Sequence, residues 1–454
     1  MKKFNREKAL IKIELHRKWQ RYSRYVYIAI PCVLCGILGL YLAYSKFFVT
    51  QENDVVQTKV GDFVYGDVII NNYVNGQYTV EAPAKGTDYR VDEIVCDNGA
   101  TGIWDNDDWG PTITNVIKRS KCNIYFVEIK KINIGNFAVS LDYYGLCPTV
   151  NDDGTVIVTE AESQYGYLCK AKDAYGDSYY YRGNVTNNYV KFANFYWRII
   201  RINGDGTVRV IYDGTSAHVN SEGSADRQIG TTAFNSNYND NAYVGYMYGK
   251  TGTSTYADTH ANINNSTIKT YLDTWYENNI KGTTNEQYIV DNIFCNDRSF
   301  ASNNSGTGAG TSTTYYRGYD FANNANNNKM MLTCPQKNDA FTVNDTSKGN
   351  GALTYGVGLV TIDEVVMAGG WRSNNSNYYV YSGQKYLTMS PSYFNGYAFE
   401  RNVNSNGMVD VGRHSAGGSN YAGDSGGVRP VLNLSSDVLK NGNGTASDPY
   451  HYAS

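Results

Sequence analysis

The sequence predicts an α+β protein with a single N-terminal transmembrane helix, a small all-β module behind it and a larger distal domain. Three observations point there. An uncharged run of 21 residues, 25–45, follows a strongly basic segment. From residue 61 onward, short apolar alternations are broken by Gly, Asn and Asp clusters, the pattern of strands and tight turns. One amphipathic stretch, residues 266–280, interrupts this strand-like text with helical spacing.

At about 1.5 Å per residue the 25–45 run reaches about 31 Å as a helix, the thickness of a hydrocarbon core. Nine basic residues among the first 24 (Lys2, Lys3, Arg6, Lys8, Lys12, Arg17, Lys18, Arg21, Arg24) face only Glu7 and Glu14. The positive-inside bias then makes residues 1–24 a cytoplasmic tail and the lipid bilayer a partner of residues 25–45. A cleaved signal peptide is the competing reading, with Ala43-Tyr44-Ser45 as its small-residue site. Either reading exports the remainder.

The formal charge is −3 over 454 residues, so the basic first 24 leave a clearly acidic remainder. That balance argues against nucleic acid as a partner. Charged residues are 18% of the chain, below the roughly 25% of an average soluble domain, while Tyr (42) and Gly (45) abound. Neutral hydrogen-bonding groups and aromatic rings therefore dominate, a composition suited to recognition.

Cys32 and Cys35 lie in the apolar run. The other six fall as sequence neighbours, and loop economy favours Cys96 with Cys122, Cys147 with Cys169, and Cys295 with Cys334 among 15 possible connectivities. Neither close cysteine pairs outside the apolar run nor clustered histidines suggest a structural zinc, so no metal or cofactor is expected.

Residues 46–60 read as a linker and 61–131 as a small β-sandwich-like module, stapled by Cys96 and Cys122 with Trp104 and Trp109 in its core. Asp105-Asn106-Asp107-Asp108 offers oxygens for calcium but lacks the Gly and distal Glu of an EF-hand loop; a solvated turn is the plainer reading. In residues 132–454, Phe195 to Ile202 and Val208 to Tyr212 form a hairpin across Asn203-Gly204-Asp205-Gly206-Thr207. Ala398 to Val403 and Met408 to Val411 repeat the pattern. A last strand runs from Val428 to Leu434, where Pro430 calls for a sheet edge or a bulge. Ser266 caps the helix, whose Ile268, Leu272, Trp275 and Ile280 share one side.

The order of Trp197-Arg198-Ile199-Ile200, the helix, Val360 to Val365, Leu387-Thr388-Met389-Ser390-Pro391 and Gly427-Val428-Arg429-Pro430-Val431-Leu432 resembles an uncharacterised domain common on bacterial cell surfaces. The likeness spans about Tyr179 to Leu434. It is also similar to the C-type-lectin-like fold of Fibrobacter-type paralogous domains, formylglycine-generating enzymes and retroelement-diversified receptors. The resemblance implies a C-type-lectin-like fold for the distal domain and a bacterial cell-surface location; joined to the 25–45 run and its basic flank, the expectation is a bacterial cell membrane protein, single-pass, with the N-terminus cytoplasmic and the C-terminus extracellular. Thr388-Met389 departs from the usual Trp-Leu-Arg before Ser-Pro. The calcium-dependent sugar signature of animal lectins and the oxidase cysteines are both missing, so neither activity is carried over.

Gly423-Asp424-Ser425-Gly426-Gly427 looks like the nucleophile loop of trypsin-like proteases, with Ser425 attacking and Ser216-Ala217-His218 echoing the histidine motif. Val428 replaces the usual Pro, however, and only 29 residues follow Ser425. Asp363 and Glu364 could form a glycosidase pair, but neighbours on a strand face opposite ways. The preferred reading is an adhesion or recognition protein rather than an enzyme, with no catalytic residue assigned. By analogy with the lectin-like folds, the ligand face lies between Pro391 and Asp424. Its candidates are Tyr393, Tyr397, Arg401, Asn402, Arg413, His414, Asn420 and Tyr421, for an extracellular glycan or protein.

Overall fold

A computed structural model describes residues 12, 14–21, 68–85, 89–105, 108–116, 119–128, 131–134, 137–140, 147–323, 328–409 and 421–452. The chain divides into two compact units, Met1–Glu128 and Ile129–Ser454.

In the first unit, Val68–Val74 lies parallel to Ser120–Glu128, which also pairs antiparallel with Tyr89–Cys96, and Gln77–Thr79 closes the order on the other side. Seventy residues supply little apolar area, so a staple and aromatic rings carry much of the core. Cys96 and Cys122 face each other in the ladder and are joined. Trp104 meets Trp109 and Phe126 edge to face, both at 5.4 Å. Asp105 accepts the backbone N–H of Asp108 in a turn, while positions 106 and 107 lie outside the described residues.

Two larger sheets dominate the described part of the second unit, with smaller two- and three-stranded sheets beside them. The larger runs Gly166–Asp173, Gly176–Gly183, Phe195–Ile202, Val208–Gly214, Val431–Leu434, Val357–Gly358, with Tyr189–Phe192 added beside Phe195–Ile202. Its central hairpin turns through Asn203–Thr207, where the Thr207 carbonyl accepts from Asn203 N at 2.8 Å and Gly206 takes a φ of 83°. The second sheet holds Thr231–Ala233, Ser425–Gly427, Tyr386–Phe394 and Thr314–Tyr315, with Ala398–Val403 along Tyr386–Phe394. Cys147–Cys169 and Cys295–Cys334 are disulfide-bonded.

Several expectations are corrected. The molecule is mostly β, with 36% strand and 15% helix, so the α+β assignment does not hold. Among the described residues no helix is long and apolar enough to cross a membrane. The single-pass anchor in a bacterial membrane, its cytoplasmic tail and its bilayer partner are therefore not supported; residues 25–45 and the 46–60 linker lie outside the described residues. Val431–Leu434 is an interior strand, not an edge, and Pro430 is tolerated because it precedes the ladder, where its carbonyl accepts Tyr212 N at 2.9 Å. Asp363 and Glu364 belong to a short helix, Ile362–Met367, that opens with a capping box between Thr361 and Glu364.

The interior carries charge. Arg198, Arg209, Arg227, Arg298, Arg401 and Arg429 are all fully buried. Arg227 and Arg429 both reach Asp213 Oδ1, at 2.7 and 3.0 Å, and Arg198 stands 3.9 Å from Oδ2. Arg429 also donates to the Tyr212 carbonyl at 3.0 Å, so the Arg of the closing Gly-Val-Arg-Pro run locks that strand to its neighbour. Arg209 lies 2.6 Å from Glu364, whose carboxyl is raised by burial but held below its ordinary range by Arg209 and Arg201.

Candidate functional site

An open groove of about 660 Å³ runs along the helix Thr267–Asn279. Ser266 starts the helix, its hydroxyl accepting Lys269 N at 3.2 Å. A helix repeats every 3.6 residues, so its faces divide by sequence. Ile268, Leu272 and Tyr276 enter the core. Thr267, Thr270, Tyr271, Thr274, Trp275 and Asn278 form the neighbouring stripe and line the groove. Strand Met247–Tyr248 and its partner Asn264–Asn265 contribute Tyr248 and Asn265. Thr232, Asn235 and Ser236 complete the wall, tied to the helix by Ser236 N donating to Thr267 Oγ1 at 2.8 Å.

None of the residues lining the groove is charged. The helix does contain charges, but they point away. Lys269 is buried and pairs with Asp273 at 2.6 Å, and Glu277 accepts the Tyr355 hydroxyl at 2.7 Å. Burial pushes the Asp273 carboxyl up against the pull of Lys269. Trp275 is backed by Phe195 at 5.9 Å and Trp197 at 6.0 Å, a rigid mount that leaves it half-buried. Tyr271 passes over Gly230, whose φ of 143° and missing Cβ make room for the phenol.

One polar group in this wall is unmatched. Asn235 is only 3% exposed, and its Nδ2 has no hydrogen-bond partner among the described residues. A buried amide N–H without an acceptor costs about 1–3 kcal/mol, which a ligand oxygen or a water would relieve. The groove thus offers ring faces, four threonine hydroxyls and asparagine amides, with rigid backing and no fixed charge.

The residues expected from sequence separate into three groups. Tyr397 is 44% exposed and Tyr421 half-buried; they lie 5.0 Å apart, and both contact Tyr238, at 5.4 and 6.0 Å. Tyr393, Arg401 and Asn402 are buried. Tyr393 stacks on Phe399 at 4.2 Å, Arg401 Nε donates to the Gly318 carbonyl at 2.9 Å, and Asn402 is enclosed. The reason is that Tyr386–Phe394 and Ala398–Val403 are covered on both faces. Arg413, His414 and Asn420 lie outside the described residues.

The hydrolase constellation does not assemble among the described residues. Ser425 begins a strand that lies between Thr231–Ala233 and Tyr386–Phe394, and it sits opposite Ala233. His218 Nε2 is 3.4 Å from Ser216 Oγ, but Asp226 lies 2.9 Å from the same nitrogen and Glu222 3.0 Å from Nδ1. With both nitrogens facing carboxylates, this ring is not placed to accept a serine proton. His260 sits between Gly308 O and Arg298, and burial with Arg298 holds it well below the usual histidine range. Among the described residues no group of three or more His, Cys, Asp or Glu side chains could hold a metal ion.

Compared with family models, curated proteins and solved structures, the chain matches none. The groove escaped the sequence reading because Trp275 was placed on the helix's apolar side; the available signal was the charge-free stripe Thr267, Thr270, Tyr271, Thr274, Trp275, Asn278 at i, i+3 and i+4 spacing.

Proposed function

We propose that this is a recognition protein that binds a neutral glycan in the groove along Thr267–Asn279. The carrying observation is the lining itself: Trp275, Tyr271 and Tyr248 among hydroxyls and amides, without one charge. Sugar rings present C–H faces that pack on aromatic rings and hydroxyls that exchange hydrogen bonds with Asn and Thr. A charged ligand would enter without a counter-ion and lose hydration uncompensated. The volume lies within the usual range of 300–1,000 Å³ for ligand pockets. The three disulfides fit a secreted or surface protein, where such ligands are met.

The test is a glycan array probed with the full-length chain and with Thr274→Arg. Thr274 is exposed, so the variant fills the groove at little cost in stability, about 0.5 kcal/mol or less. Neutral glycans should dominate the wild-type signal and fall at least about tenfold in the variant. An unchanged pattern in Thr274→Arg, or a preference for sulfated or carboxylated glycans, contradicts the reading.

A further inference from the structure

Beside the groove lies a second feature that its lining does not include. Tyr238, Tyr397 and Tyr421 pack ring against ring with centroid distances of 5.0 to 6.0 Å, yet Tyr238 and Tyr397 remain 39% and 44% exposed. A phenol ring is normally drawn into the core by its apolar area. Here the three are stacked on a buried base, with Tyr421 on Phe399 at 4.7 Å, so their outer surfaces are fixed in place and left open. Gly423 completes the mount, because a Cβ there would collide with the Tyr238 ring.

The triad and the groove share one piece of chain. Residues 236–239 are all exposed; Ser236 lines the groove and Tyr238 belongs to the triad. One residue separates them, so their Cα atoms are at most about 7 Å apart. Both ends of the segment are pinned. Asn235 N donates to the Ala422 carbonyl at 2.8 Å, next to Tyr421, and the Tyr238 carbonyl accepts Ala398 N at 2.7 Å, next to Tyr397. The distance between the two surfaces is therefore set by backbone hydrogen bonds. Between them Asn237 presents an exposed amide.

From this continuity, and resting on the groove reading above, we infer that the ligand is a chain of neutral sugars rather than a single terminal unit, its outlying rings lying on Tyr238, Tyr397 and Tyr421. A β-linked pyranose chain with equatorial substituents is flat and shows C–H faces at every unit. Successive units can then meet Trp275 and Tyr271 in the groove and the triad beyond it. Triad and groove act as two linked contacts, so affinity rises with chain length until both are covered and then levels off.

The experiment is calorimetric titration of the full-length protein with β-1,4-linked N-acetylglucosamine and glucose oligomers of one to six units. Affinity should climb with length in at least one series. Tyr397→Ala should remove about tenfold for the longest oligomers and leave the shortest binding oligomer unchanged, whereas Tyr397→Phe, which keeps the ring, should bind as wild type. A general loss of fold in Tyr397→Ala would lower all lengths together, and Tyr238→Ala then repeats the comparison from the other exposed ring. Affinity that is independent of length, or equal losses for short and long oligomers in both alanine variants, overturns the extended site while leaving the groove standing. Failure of every oligomer in both series to bind overturns the groove reading itself.

Discussion

Around Asp213, guanidinium groups from Arg198, Arg227 and Arg429 converge with every member buried, while some 660 Å³ of groove along Thr267–Asn279 meets solvent without one charged side chain. This inverts the usual distribution, in which charge faces water and neutral groups fill the core. A buried charge is tolerated only where its partners are fixed to within a few tenths of an ångström, and so it is a framework device. Arg429 and Asp213 are 216 residues apart in sequence and hold the last interior strand in place. The groove works under the opposite constraint. A surface that must exchange water for ligand hydroxyls gains by carrying dipoles and rings, which need no counter-ion when the ligand is gone.

The contrast can be broken most forcefully at Asp213. Asp213→Ala leaves buried guanidiniums without their carboxylate and should cost about 3–5 kcal/mol in urea denaturation. A loss below about 1 kcal/mol would mean that the charged interior is not what holds the framework. By comparison Thr274→Arg, which adds a charge to the groove, should leave the denaturation midpoint almost unmoved while lowering binding at least about tenfold.

Glu400 gives a smaller and pH-dependent effect. Both its carboxylate oxygens are buried without hydrogen-bond partners, and burial raises its pKa well above the ordinary range despite Arg298 and Arg401. A carboxyl whose folded pKa is raised stabilises the fold below its unfolded value, near 4.5, and that contribution is lost as pH rises through the folded value. Glu400→Gln should therefore match wild type at acid pH and melt higher at alkaline pH, by about 1 kcal/mol or more. A gap that narrows with rising pH would contradict the assignment.

Asp226 works in the reverse sense and more weakly. Burial opposes its ionisation, but hydrogen bonds from Ser224 and His218 hold it at about 2. Its stabilisation is present above 3.8 and is lost as pH falls towards 2. Because the side chain is one-third exposed, Asp226→Asn should flatten the acid limb of a stability–pH curve by less than about 1 kcal/mol. A larger effect would place Asp226 among the framework charges.

Local chemistry was legible in the sequence and distant chemistry was not. The Asn203–Thr207 turn and the Ser266 cap follow from the residues that make them, and the disulfides join the cysteines nearest one another in the chain. The Thr361–Glu364 capping box was equally local, yet the β-branched residues around it outweighed it and suggested a strand. Arg198, Arg209 and Arg429 could not be read as interior, because an arginine looks like surface until its carboxylate arrives from another part of the fold. Strand alternation puts Phe399 and Arg401 on one face and Asn402 on the other, but it does not tell whether either face is open, and both are closed. Tyr397 and Tyr421 were reached through a resemblance, while their partner Tyr238 comes from a segment some 160 residues earlier.

The central claim, that the uncharged groove rather than any charged surface holds the ligand, is tested most directly by amide hydrogen exchange on the full-length protein with and without the longest neutral oligomer that binds. The account predicts slowed exchange in Thr267–Asn279 and in residues 235–238, with the same protection at about 0.05 and 0.5 M salt, since no ion pair is made. Protection confined to other segments, or protection that disappears at high salt, would contradict it.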